Sequence, residues 1–109
     1  MDEQVEAYLG VYPDAIVLMF SELRRLIYES TPCEPAEKLW AKLPSYYAGE
    51  AFVRLIPFKD HINIEAKAVL PHREELAGYK LTPKGMLQIY IGQKIPGEVL
   101  KRIISETFV

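Results

Sequence analysis

The side chains with the most chemical potential cluster mid-chain: Lys59, Asp60 and His61 in succession, then Asn63 and Glu65 at alternate positions. On a β-strand alternate residues share a face, so His61, Asn63 and Glu65 would point one way and Ile62, Ile64 and Ala66 the other. A histidine so placed can serve as a general base or a metal ligand. Residues two apart on a strand are ~7 Å apart, which puts His61 and Glu65 on the order of 13 Å from one another. They cannot chelate one ion between them, and a further ligand would have to come from elsewhere in the fold. A hydrogen-bonded structural or solvated histidine is the preferred reading of His61.

Other groups invite the same comparison of a chemical with a structural role. Tyr46, Tyr47, Tyr79 and Tyr90 can line a groove, with Lys59, Lys80 and Lys84 supplying anion-binding charge. A tyrosine has an apolar body and a polar tip, so a place at a sheet rim explains it without a ligand. Asp2, Glu3 and Glu6 form the one acidic group without a basic neighbour. They also sit where the start of a helix welcomes negative charge. Cys33 lies between Pro32 and Glu34, with no basic neighbour to lower its pKa, and is assigned no role. No G-x-S-x-G, H-E-x-x-H, phosphate-binding glycine loop or EF-hand pattern occurs, and an enzyme is not expected.

The elements that must position these residues follow from periodicity. Asp2 to Leu9 reads as a short helix stopped by Gly10. A longer helix opens at Pro13-Asp14, carries Ile16, Met19, Phe20, Leu23, Leu26 and Ile27 on one face, and ends at Ser30-Thr31-Pro32. Pro35 to Leu39 reads as one further helical turn, with sheet beginning near Trp40. The strands expected are 41–47, 51–57, 61–67, a short piece near Tyr79 to Leu81, and 86–91, the first three forming an antiparallel meander through Ala48-Gly49 and Lys59-Asp60. Pro71 to Ala77 reads as a short surface helix.

Leu87, Ile89 and Ile91 oppose Gln88 and Tyr90 as Ile62 and Ile64 oppose His61 and Asn63, so one sheet face is apolar and the other polar. A last helix from Pro96, with Val99, Leu100, Ile103 and Ile104, covers the apolar side. The expected fold class is α+β: an antiparallel sheet of about five strands with N- and C-terminal helices packed on one face.

Composition bounds the rest. The 109 residues, half of them hydrophobic and 26% charged, suit one globular domain over 1–109. A net charge of -2 gives no general attraction for phosphate backbones or anionic lipid, and nucleic acid and membrane are not expected as partners. No apolar run approaches a bilayer span, the opening Met1-Asp2-Glu3-Gln4 is acidic where a signal peptide is basic, and a single cysteine fits a reducing compartment; the expected location is cytoplasmic.

Four segments carry a resemblance: Leu43-Pro44-Ser45-Tyr46-Tyr47, Phe58-Lys59-Asp60-His61-Ile62, Lys84-Gly85-Met86-Leu87-Gln88-Ile89, and Ile95-Pro96-Gly97-Glu98-Val99-Leu100 followed by Ile103-Ile104. In this order and spacing, with the Tyr12-Pro13 helix, the chain resembles the bacterial YdhG-like domains, whose fold is related to frataxin and the YjbR/CyaY-like proteins. The resemblance implies two main helices on one side of an antiparallel sheet, and by analogy with frataxin it raises iron as a ligand. Frataxin-like iron binding uses an acidic ridge along the first helix and the neighbouring edge strand, where a hard cation finds carboxylate oxygens. Here Arg25 lies three residues after Glu22 and four before Glu29, which would neutralise that ridge.

Two functions are therefore expected. The first is a non-catalytic binding or interaction module without a cofactor, acting through Tyr47, Lys59, His61, Asn63, Gln88 and Tyr90 on a protein or small molecule; a separate and lesser expectation is a small-molecule pocket between sheet and loops with Tyr47, Lys59 and His61 at its mouth. The alternative is an iron-binding chaperone in which Asp2, Glu3 and Glu6 hold the metal.

Overall fold

A computed structural model describes all residues, Met1–Val109. Asp2 starts the first helix by accepting hydrogen bonds on its side chain from the Gln4 and Val5 amides, which satisfies two of the N–H groups a helix start leaves free. Helix α1 (Glu3–Leu9) buries Val5 and Leu9. Helix α2 (Asp14–Ser30) buries Ile16, Phe20, Leu23, Leu26 and Ile27, the stripe its 3.6-residue period predicts. Helix α3 (Gly97–Thr107) buries Leu100, Ile103 and Ile104 and packs beside α2.

Between α2 and α3 run strands β1 (Ala36–Trp40), β2 (Leu43–Ala48), β3 (Ala51–Pro57), β4 (His61–Glu65), β5 (Lys80–Leu81) and β6 (Leu87–Tyr90), with a 3₁₀ helix over Leu70–Leu76. They form one antiparallel sheet in the order β1-β2-β3-β4-β6-β5. The short strand near Tyr79 therefore lies at the edge, beside β6 and antiparallel to it.

The sheet has six strands where about five were expected, because Pro35 to Leu39 is no helical turn. Ala36–Trp40 is an edge strand in register with β2, from Ala36↔Tyr47 to Trp40↔Leu43. Ala41 and Lys42 join the two with φ of 49° and 66°. Two positive-φ residues between paired strands are the signature of a type I′ hairpin turn, usually written Asn-Gly. Ala-Lys conceals it.

The β2–β3 connection is Gly49-Glu50, one residue later than read, with Gly49 at φ 64°. Lys59-Asp60 is the β3–β4 turn, closed by the Phe58 amide donating to the His61 carbonyl at 2.8 Å.

Val53, Leu55, Ile62, Ile64, Leu87 and Ile89 share one face and are buried in a single core with the helix stripes. Ile91 does not join them: β6 ends at Tyr90 and Ile91 is 44% exposed. On the other face the buried strand residues are all polar: Ser45, Arg54 and Asn63. No helix is long and apolar enough to cross a membrane.

Candidate functional site

The register orders the helix-free face into rows. One row runs across all six strands as Trp40, Leu43, Ile56, Asn63, Gln88 and Lys80, taking the β2–β3 register two residues beyond Ser45↔Arg54. On one side lies the row Lys38, Ser45, Arg54, Glu65. On the other lie His61 and Tyr90, directly paired, with Phe58 beside them.

Arg54 organises one end. Its guanidinium lies 4.0 Å from the Trp40 ring centre and 3.9 Å from that of Phe52. It donates to Ser45 Oγ at 3.0 Å, to Glu65 at 3.2 Å and to the Tyr47 hydroxyl at 3.1 Å. Burying a guanidinium is costly unless its charge and donors are matched, and here three acceptors and two rings meet that need. Lys38 Nζ stands 4.7 Å over the other ring in reach, that of Tyr47. At the opposite end the His61 imidazole stacks between Phe58, 4.4 Å away and 7° from parallel, and Tyr90, 4.6 Å away. Its Nδ1 is 2.7 Å from an Asp60 carboxylate oxygen, and Lys80 Nζ is 5.4 Å from the Tyr90 ring centre.

Between the two aromatic clusters sits Asn63, 8% exposed, whose Oδ1 is buried and accepts no hydrogen bond from the protein. Trp40 and Phe58, in contrast, are 51% and 41% exposed.

Tyr47, His61, Asn63, Gln88 and Tyr90 thus share one face, but as two ends and a centre and not as one cluster. Lys59 is in the exposed β3–β4 turn, at the rim. None of the surface clefts is lined by Tyr47, Lys59 and His61, so the pocket expected among them does not form.

Asp2, Glu3 and Glu6 are not gathered either: the Asp2 carboxylate caps α1, while Glu3 and Glu6 face solvent. No three His, Cys, Asp or Glu side chains anywhere stand in metal-ligating geometry. Arg25 bonds both Glu22 and Glu29, as the helical spacing implied.

Arg54, Trp40, Phe52 and Phe58 escaped the sequence reading. The available signal was a lone arginine inside the apolar run Ala51–Pro57, two residues after Phe52.

A second polar network lies on the helix side. Glu37, on the face that β1 turns toward α2, accepts from Arg24 at 2.6 Å, from the Tyr46 hydroxyl at 2.7 Å and from the Asp2 amide at 2.6 Å. Burial opposes its ionisation, but these donors prevail and hold its carboxyl below the usual glutamate range. Burial and the Glu37 charge push the Tyr46 hydroxyl the other way, well above an ordinary tyrosine.

Charge is divided between the layers. Across residues 38–68 and 79–92 stand seven basic residues, Lys38, Lys42, Arg54, Lys59, Lys67, Lys80 and Lys84, against Glu50, Asp60 and Glu65. The helices, the 3₁₀ segment, their loops and Glu37 hold the other twelve carboxylates and only six cations. Comparison of the chain with protein-family models, curated proteins and solved structures finds no match.

Proposed function

We infer that this chain is a non-catalytic binding module that meets its partner through the helix-free sheet face, centred on Asn63 and Gln88. The observation that carries this reading is the exposure of Trp40 and Phe58 on a face that no helix covers. Large rings held rigid by stacking and left half in water are the groups that drive recognition, since they bury much area on contact with little entropy to lose.

Binding is favoured over turnover because the reactive groups of the face are tied down. His61 is stacked on both sides and hydrogen bonded to Asp60, and Arg54 is fully engaged. The reading agrees with the YdhG-like resemblance, whose motifs include no catalytic signature. A reducing, cytoplasmic setting belongs to the same proposal and is supported by the single, exposed Cys33.

Affinity capture with the wild-type chain, Trp40→Ala, Phe58→Ala, and Leu18→Ser on the exposed side of α2 tests it. The face variants are expected to lose captured partners that Leu18→Ser retains. Partners indifferent to Trp40 and Phe58 but lost with Leu18→Ser would overturn the reading.

A further inference from the structure

The net charge of -2 averages over two unlike halves. The sheet and its turns carry an excess of basic residues, six of them exposed lysines, while the excess of carboxylates lies with the helices. On the side that presents Trp40 and Phe58, Lys38 and Lys80 stand over rings of the face and Lys59 lies in its β3–β4 turn, and attraction of an anionic partner is governed by the local field more than by the net charge.

We propose that the helix-free face binds a short segment of single-stranded nucleic acid, with bases stacked on Trp40 and Phe58 and phosphates held by Lys38, Lys59 and Lys80. This rests on the reading of that face as the binding surface and names its partner class.

Three features point to this class. One face of the Trp40 ring is taken by the Arg54 guanidinium and one face of Phe58 by the His61 imidazole. Both remain about half exposed, which leaves the opposite faces for a further flat ring. Strand spacing and rise put the Trp40 and Phe58 backbone positions ~12 Å apart, so their side chains serve separate bases of one extended strand.

Between them Asn63 and Gln88 stand opposite one another on β4 and β6, and the unpartnered Asn63 Oδ1 is an acceptor that an amino or imino group on a base edge can satisfy after a side-chain rotation. Finally, each aromatic end has a lysine over or beside it, Lys38 at Tyr47 and Lys80 at Tyr90, so cationic groups alternate with rings along the path of a strand. A duplex keeps its bases stacked on one another, so it would meet the lysines without using the open faces of Trp40 and Phe58. An acidic polypeptide or anionic lipid would use the lysines but not the flat ring faces and amides.

Fluorescence anisotropy of labelled oligonucleotides of about ten nucleotides, RNA and DNA, single strand and duplex, tests the proposal, with ¹H–¹⁵N spectra to locate the site. Single strands should bind in the micromolar range, lose roughly tenfold in affinity with Trp40→Ala or Phe58→Ala, and weaken with added salt and with Lys80→Glu. Both aromatic positions are exposed, and an unchanged Tm will show that each variant folds.

Absence of binding at tens of micromolar, equal affinity for duplex, or indifference to all three substitutions overturns the assignment. Poly-glutamate and phosphatidylserine–phosphatidylcholine vesicles are titrated in parallel. If either shifts the amides of Lys38, Gln88 and Lys80 while oligonucleotides do not, the nucleic-acid assignment falls and the binding face stands. Shifts confined to α2 and α3 with every probe remove both.

Discussion

Glu37 joins three parts of the molecule: one carboxylate ties α2 through Arg24, β2 through Tyr46 and the chain start through the Asp2 amide, and only 6% of it is exposed. Glu37→Gln keeps the shape but removes the charge that the Arg24 guanidinium answers. A half-satisfied buried network is worse than none, because the remaining ion keeps its desolvation penalty. Glu37→Gln is expected to destabilise by about 2–4 kcal/mol in urea unfolding, and Tyr46→Phe, which deletes one hydrogen bond, by only about 1 kcal/mol. Equal effects of the two would mean that the charge of Glu37 contributes nothing. From sequence Glu37 had no special mark, since its partners are 13 positions before it, 9 after it and 35 before it.

The β1–β2 hairpin shows the same dependence at the scale of an element. Ala36, Glu37, Lys38 and Leu39 favour helix, and Ala41-Lys42 lacks the Asn-Gly of a two-residue turn, so local propensity argues against the strand that forms. Pairing with β2 and the bonds of Glu37 outweigh it. The penalty remains at the turn, where Lys42 is held at φ 66°. A glycine there has no Cβ to clash, so Lys42→Gly should raise stability by about 0.5–1 kcal/mol in spite of the freer unfolded chain. A drop in the urea midpoint would refute this account of the turn.

For the molecule as a whole, two ionisable links set opposite edges of a stability window. Glu37 has a folded pKa below the ordinary 4.5, so its contribution is complete above that pH and is lost as pH falls through the folded value. His72 joins the 3₁₀ segment to α3, with Nδ1 2.7 Å from Glu75 and Nε2 3.0 Å from Glu106. The Glu75 hydrogen bond first, then that of Glu106, raises its pKa above the ordinary 6.5. Its contribution is complete below 6.5 and is lost as pH rises through the folded value, when one nitrogen surrenders its proton beside a carboxylate. The Tm is expected to be highest between about pH 4.5 and 6.5. His72→Gln should flatten the alkaline limb, whereas a wild-type alkaline decline surviving in that variant would sever the link to His72.

Sequence by itself determined what repeats at a local period. The stripes of α2 and α3, the apolar parity of Ile62, Ile64, Leu87 and Ile89, and the pairing of Arg25 with Glu22 and Glu29 each depend on neighbours a few residues away. It also placed His61, Asn63, Gln88 and Tyr90 on one face, because strand parity needs no knowledge of topology. Only the tertiary structure decided which strands lie side by side. The sixth strand, the stacking of Arg54 on Trp40 and the separation of the two aromatic clusters all follow from strand order and register. Contacts of that kind join residues far apart in the chain, and no local period encodes them.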